Sequence, residues 1–211
     1  MNYFKADKPI KIKLLRDLSK HIKRGNPWIF SDAVEKMKSI DGCYAQLINH
    51  KNEILAHGIY SNSVNLAFRV LNIGDKKLND QEIENRFKTA IQNKKHLLTS
   101  SNQCFRVING EGDELSGIVA DYYAGVIVLK LDGPACEHFW NKENIAQFFM
   151  EQTLIPVSCV YYKRKNKEDD KGSILAGECE NLTDHEFLEH DVKFRTNIID
   201  AAKTGFFLDQ R

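Results

Sequence analysis

The sequence contains no C-x-x-C pair, and its one close histidine pair, His185 and His190, falls on opposite arms of an expected hairpin, so nothing in it points to a structural zinc site. Its five cysteines, Cys43, Cys104, Cys136, Cys159 and Cys179, are odd in number and widely spread, which argues for reduced, mostly buried thiols rather than a disulfide framework. No apolar run approaches the roughly 20 residues that span a bilayer. The opening "MNYFKADKPIKIKLL" alternates lysine with isoleucine where a signal peptide needs a continuous apolar stretch, so a cytoplasmic location is expected. Neither an internal repeat nor a low-complexity tract is present.

Phosphate loops are also lacking. "NGEGDELSG" offers Gly110, Gly112 and Gly117, but a dinucleotide fingerprint needs a glycine three residues after the second one, and that position is Leu115. A tight turn with solvated acids on its rim is the better account of Glu111, Asp113 and Glu114 than acid/base chemistry. "KTG" at 203–205 has Ile198 where a P-loop needs glycine, so its backbone cannot form a phosphate nest. The seven histidines are scattered, and no metal-ligand set and no catalytic residue emerges.

What remains is an ordinary globular composition, 42% hydrophobic and 28% charged, over 211 residues, a length suited to two compact domains. The net charge of +1 hides an uneven distribution. Residues 1–24 carry eight Lys or Arg against two Asp, whereas residues 178–191 carry six acids and no Lys or Arg. A basic N-terminal face suits a phosphate backbone, although lysines on an exposed strand edge also prevent aggregation.

Periodicity divides the chain. Ile10, Ile12 and Leu14 alternate with lysines as a half-buried strand does, and a short basic helix in "DLSKHIKRG" follows, stopped by Gly25. Strand-like runs at 43–49, 53–60 and 66–71, the first two joined by a hairpin loop at 50–52, predict a small, mostly β barrel or sandwich over residues 1–74. Beyond a polar connector at 72–80, Asn79 and Glu82 can form a capping box for a helix through "QEIENRFKTAIQNKKHLL", in which Ile83, Phe87, Ala90, Ile91 and Leu98 recur at helical spacing. Strands at 104–108, within "LSGIVADYY", at 125–131 and in "PVSCVYYK", with a helix in "PACEHFWNKENIAQFFMEQT", predict a mixed α/β central domain over 75–184. "RKNKEDDKG" (164–172) reads as a mixed-charge loop, and residues 185–211 open with a hairpin turning near His190 and Asp191. The expected fold class is α+β.

"KRGNPWIF" couples Lys23 and Arg24 to a glycine stop and Trp28 in one loop. Such a surface contacts phosphates while the indole stacks on an unpaired base. Alternatively Trp28 and Phe30 plug one end of the barrel, which physics alone slightly favours. Lys20, Lys23, Arg24, Trp28 and Arg69 are the candidate RNA-binding residues.

Taken in order, "RGNPWIFSDAVEK", "GIYSNSVNLAFRVL", "FRVINGEGDELSGIVADYY", "VYYKR", "EFLEHDVKF" and "KTGFFLDQR" resemble the RlmI-like RNA cytosine methyltransferases, which depend on S-adenosylmethionine. The resemblance implies an N-terminal PUA domain, an RNA-binding β barrel, then a central α/β domain. A Rossmann-like methyltransferase domain, with the nucleophilic cysteine, would follow Arg211, so none of the five cysteines takes that role and the 211 residues alone are expected to be inactive. It further implies that Lys203, Thr204, Phe206, Phe207, Asp209 and Arg211 lie beside the cofactor, and that the product is 5-methylcytosine in large-subunit ribosomal RNA. Ribosomal RNA is the expected partner, without membrane or metal, and a homodimer stays open. The chain departs from the family at Asn26, Ala201, Ala202, Lys163 and Lys165. The alternative is a self-standing RNA-binding or assembly protein with no enzyme domain.

Overall fold

A computed structural model describes residues 1–5, 8–38, 41–167 and 170–208. Five strands, β1 (Ile10–Lys13), β2 (Trp28–Phe30), β3 (Cys43–Ile48), β4 (Ile54–Tyr60) and β5 (Leu66–Ile73), form the first sheet in the order β1-β3-β4-β5-β2. Helix α1 (Ser19–Lys23) follows β1, and Gly25 at φ 96° ends it where a side chain would be strained. The two edge strands meet beyond β1: Leu14 bridges Val34, Leu15 N donates to Ala33 O at 2.9 Å, and Glu35 N to Lys13 O at 2.8 Å. The sheet thus curls until its edges touch, around a core that includes Ile12, Leu14, Ile22, Ile29, Leu47 and Phe68.

The second sheet follows α2 (Asp80–Lys94). Strands β6 (Cys104–Asn109), β7 (Ile118–Tyr123), β8 (Val126–Leu131), β9 (Cys159–Lys167) and β10 (Asp170–Gly177) align in the order β10-β9-β8-β7-β6. Only β8 and β9 run parallel, joined through α3 (Pro134–Phe139) and α4 (Lys142–Glu151). From Val126 to Leu129, β8 is apolar on both faces because both are covered. Ile127 and Leu129 pack with Phe87, Ile91 and Phe149 of the helices, whereas Val126 and Val128 pack with Phe187 and Ile198. That second cover is the hairpin β11 (His185–Glu189) and β12 (Val192–Thr196), with the segment that follows it.

Most sequence expectations have physical counterparts. Asn79 Oδ1 caps α2 by accepting from Glu82 N at 2.9 Å, but the Glu82 carboxylate turns to Lys76 and Arg86 instead of closing a capping box. His190 and Asp191, at φ 49° and 66°, make the hairpin turn. The segment from 164 to 172 differs: β9 runs on to Lys167 and β10 starts at Asp170, so the expected loop is a continued strand pair, with 168 and 169 outside the described residues.

The two sheets share packing. Tyr3 and Phe4 are buried in the helix-side core of the second sheet, and Lys5 N donates to Phe139 O at 2.9 Å. Between the sheets, Arg69 of β5 pairs with Glu111 at 2.7 Å and with Asp132. Arg86 Nη1 of α2 donates to the carbonyls of Leu71 at 3.0 Å and Glu114 at 2.8 Å.

Candidate nucleic-acid interface

The basic helix places Lys20, Lys23 and Arg24 in solvent while Ile22 is buried, so one turn of apolar anchoring carries a charged outer surface. After Gly25 the chain redirects into β2, with Asn26 Oδ1 accepting from Trp28 N at 3.3 Å. β2 alternates, and Ile29 takes the inward position; strand parity therefore turns Trp28 and Phe30 outward, 45% and 44% exposed. The plug reading is corrected here: both rings lie on the surface, in the same stretch as the three cations.

Arg69 is opposite Trp28 in the β2–β5 register, but its guanidinium is committed to Glu111 and Asp132. Of the acids expected on a solvated rim, Glu114 is exposed, but Glu111 and Asp113 of the 3₁₀ turn at Gly110–Asp113 are engaged by the protein. Asp113 accepts from Lys94 Nζ at 2.5 Å and from Asn109 N at 2.6 Å. Glu111 takes Arg69 and the Ser116 hydroxyl at 2.7 Å each, and the Trp28 side chain also hydrogen-bonds it. Burial alone would raise the Glu111 pKa, but the hydrogen bonds from Ser116 and Trp28 and the Arg69 charge outweigh it and hold it below the ordinary carboxylate value.

The C-terminal candidates divide. Thr204 is buried and its hydroxyl points inward, donating to Asp121 Oδ2 at 2.5 Å and lying 3.1 Å from the Tyr123 hydroxyl. Asp121, fully buried, also accepts from Arg106 Nε at 2.9 Å. Phe206 packs between Phe187 and Phe194 at centroid distances of 5.4 and 4.9 Å. Lys203 and Phe207 face outward instead, with Lys203 Nζ 4.4 Å above the Phe207 ring. Asp209 and Arg211 lie outside the described residues.

The segment is held by a residue that sequence reasoning noted only as a family departure. Lys163 Nζ, almost wholly buried on β9, donates to the carbonyls of Ile198 at 2.7 Å and Ala201 at 2.5 Å. Burial, together with the nearby Lys130 charge, pulls its pKa down to about 8. Asp121 was missed outright, although an acid inside the otherwise apolar run "GIVADYY" was the signal that could have found it. Cys136 is buried beside Arg69, and burial pushes its thiol up to about 12, which leaves it inert as a nucleophile. Among the described residues no group of acids, histidines and cysteines could hold a metal ion, and no helix is long and apolar enough to cross a membrane.

Residues 12–72 match the family model of the PUA-like domain. The ribosomal RNA large subunit methyltransferase I of Pseudoalteromonas translucida is 29% identical over 91% of this chain and 50% of its own length. The protein of the same name from Escherichia coli O127:H6 is 28% identical over 96% of the chain and 52% of its own length. Among solved structures, a putative SAM-dependent methyltransferase from Streptococcus mutans superposes with a TM-score of 0.80 at 20% identity, over 96% of this chain and 52% of that one. A second, the putative methyltransferase SMU.776 complexed with SAH, also gives 0.80 at 20% identity, over 95% of this chain and 51% of that one. The chain spans about half the length of the curated relatives it matches. Residues 12–72 thus match a PUA-like domain, and nearly the whole chain is similar to about half of proteins named ribosomal RNA large subunit methyltransferase I.

Proposed function

We propose that these residues supply RNA binding and positioning to an S-adenosylmethionine-dependent methyltransferase that forms 5-methylcytosine in large-subunit ribosomal RNA, and are not themselves catalytic. The observation that carries the reading is the exposed stretch from Lys20 to Phe30, where three cations and two outward aromatic rings project from one PUA-like unit. Cations there meet phosphates, and the exposed face of a surface ring is a platform for an unpaired base. Related proteins with a ribosomal RNA methyltransferase name over 96% of the chain supply the substrate class.

S-adenosylmethionine, when bound by such an enzyme, supplies an activated methyl group. Of the residues expected beside it, Lys203 and Phe207 have the outward orientation such a contact needs, whereas Thr204 and Phe206 instead fix the segment to the second sheet. That inward anchoring also favours the second reading, a self-standing RNA-binding module, because the segment finds its own core.

The test is titration of a single-stranded RNA from the large subunit against wild type and a Lys23→Ala/Arg24→Ala double variant. Loss of two phosphate contacts flattens the salt dependence of log affinity by about 1.4. An unchanged slope places the RNA surface elsewhere. Methyl transfer by the 211 residues alone would contradict the non-catalytic role.

A further inference from the structure

A cavity of about 220 Å³ opens between the Lys203–Thr204 segment and the acidic 3₁₀ turn, on the β7–β8 part of the second sheet. Its lining includes the cations Arg106, Lys130 and Lys203 and the acids Glu111 and Asp132. Three of these charges are balanced internally: Arg106 holds Asp121, and Arg69 holds Glu111 and Asp132. Lys130 is different. It is half-buried on β8, has no hydrogen-bond or ion-pair partner among the described residues, and its charge acts against the buried Lys163. An ammonium in that position lacks a counter-ion, and an anion in the cavity would supply it.

The cavity is smaller than the roughly 300–1,000 Å³ of pockets that engulf a drug-sized molecule, so it suits a fragment of a larger ligand. Carboxylates in the same lining would repel a second phosphate but accept from hydroxyl groups, and Asp132 engages only Oδ2 with Arg69, leaving Oδ1 available. We propose that this cavity is a ribose-phosphate subsite, in which Lys130 holds one phosphodiester of an RNA strand and Asp132 accepts from the 2′-hydroxyl of its sugar. The proposal rests on the RNA-binding reading above. It adds a contact on the second sheet, beyond Glu111 and Arg69 from the Trp28 platform.

Two measurements on the full chain decide it. Inorganic phosphate titrated into wild type should shift the backbone amides of Val119 and Thr204; Lys130→Met should abolish those shifts, and Lys130→Arg should restore them. With a short single-stranded RNA, Lys130→Met should weaken binding several-fold and lower the salt slope by about 0.7, the share of one single-strand phosphate contact. The DNA of the same sequence should bind wild type more weakly than the RNA does. Phosphate shifts that persist in Lys130→Met, or an RNA slope that the substitution leaves alone, overturn the phosphate site; equal affinity for DNA overturns the ribose contact. The phosphate arm needs no RNA affinity, so a chain that binds phosphate through Lys130 but binds no RNA would sink the proposed function and leave the anion site standing.

Discussion

Lys163 shows how a single residue ties burial to the placement of the C-terminal segment. Its ammonium is enclosed between β9 and residues 198–201, and it satisfies two carbonyls that would otherwise lack donors. Because the folded pKa is about 8 against 10.5 for an exposed lysine, the unfolded chain holds the proton more tightly. Stability from this group is therefore lowest below pH 8 and rises as pH climbs toward 10.5, by up to about 1.4 kcal/mol per pH unit. Lys163→Met should remove that rise from a series of denaturant melts at pH 7 to 10. It should also speed hydrogen exchange at Ile198 and Gly205, whose amides bond Leu182 and Ala202, because the turn loses its two tethers. A melt series with the same slope in both proteins would show that the ammonium is not shielded from water.

At the level of elements, legibility followed the range of the interactions involved. α2 was readable because Ile83, Phe87, Ala90 and Ile91 repeat at helical spacing and its cap lies three residues from its donor. Asn79→Ala should cost about 1 kcal/mol in denaturant unfolding, since Glu82 N would lose its side-chain acceptor; a change near zero would mean that Asp80 or water replaces it fully. The hairpin at His190 and Asp191 was equally local. What escaped the sequence depended on distant partners: Glu111 meets Arg69 across 42 positions, Thr204 meets Asp121 across 83, and Lys163 meets Ile198 across 35. Trp28 was misjudged for a different reason. Hydrophobicity puts an indole inside, but one-residue parity on a three-residue edge strand gave the inner position to Ile29. β9 and β10 hid their pairing because mixed charge carries no period-2 signal.

For the molecule as a whole, the question is whether two sheets behave as one folding unit. The apolar cluster on the helix side of the second sheet includes Tyr44, Ile59 and Leu71 from the first, so the second sheet does not complete that core alone. Gly42 sits so close to α3 that an added Cβ would lie 2.1 Å from Ala135 O, and Arg69 and Arg86 bond across the same boundary. The N-terminal residues complete the arrangement: Tyr3 N donates to Asp80 at 2.6 Å, and the Tyr3 and Phe4 rings pack against Phe87 and Phe139. Removing residues 1–5 takes away two fully buried aromatic side chains, worth roughly 1.5–3 kcal/mol each. Because the cores are shared, that loss should lower the midpoint of a single transition seen alike by tryptophan fluorescence, from Trp28 on the first sheet and Trp140 on α3's end, and by far-ultraviolet circular dichroism. Two separated transitions in the full chain would mean that the shared cluster does not couple the sheets, and the proposed RNA platform would then be free to reorient relative to the second sheet's cavity.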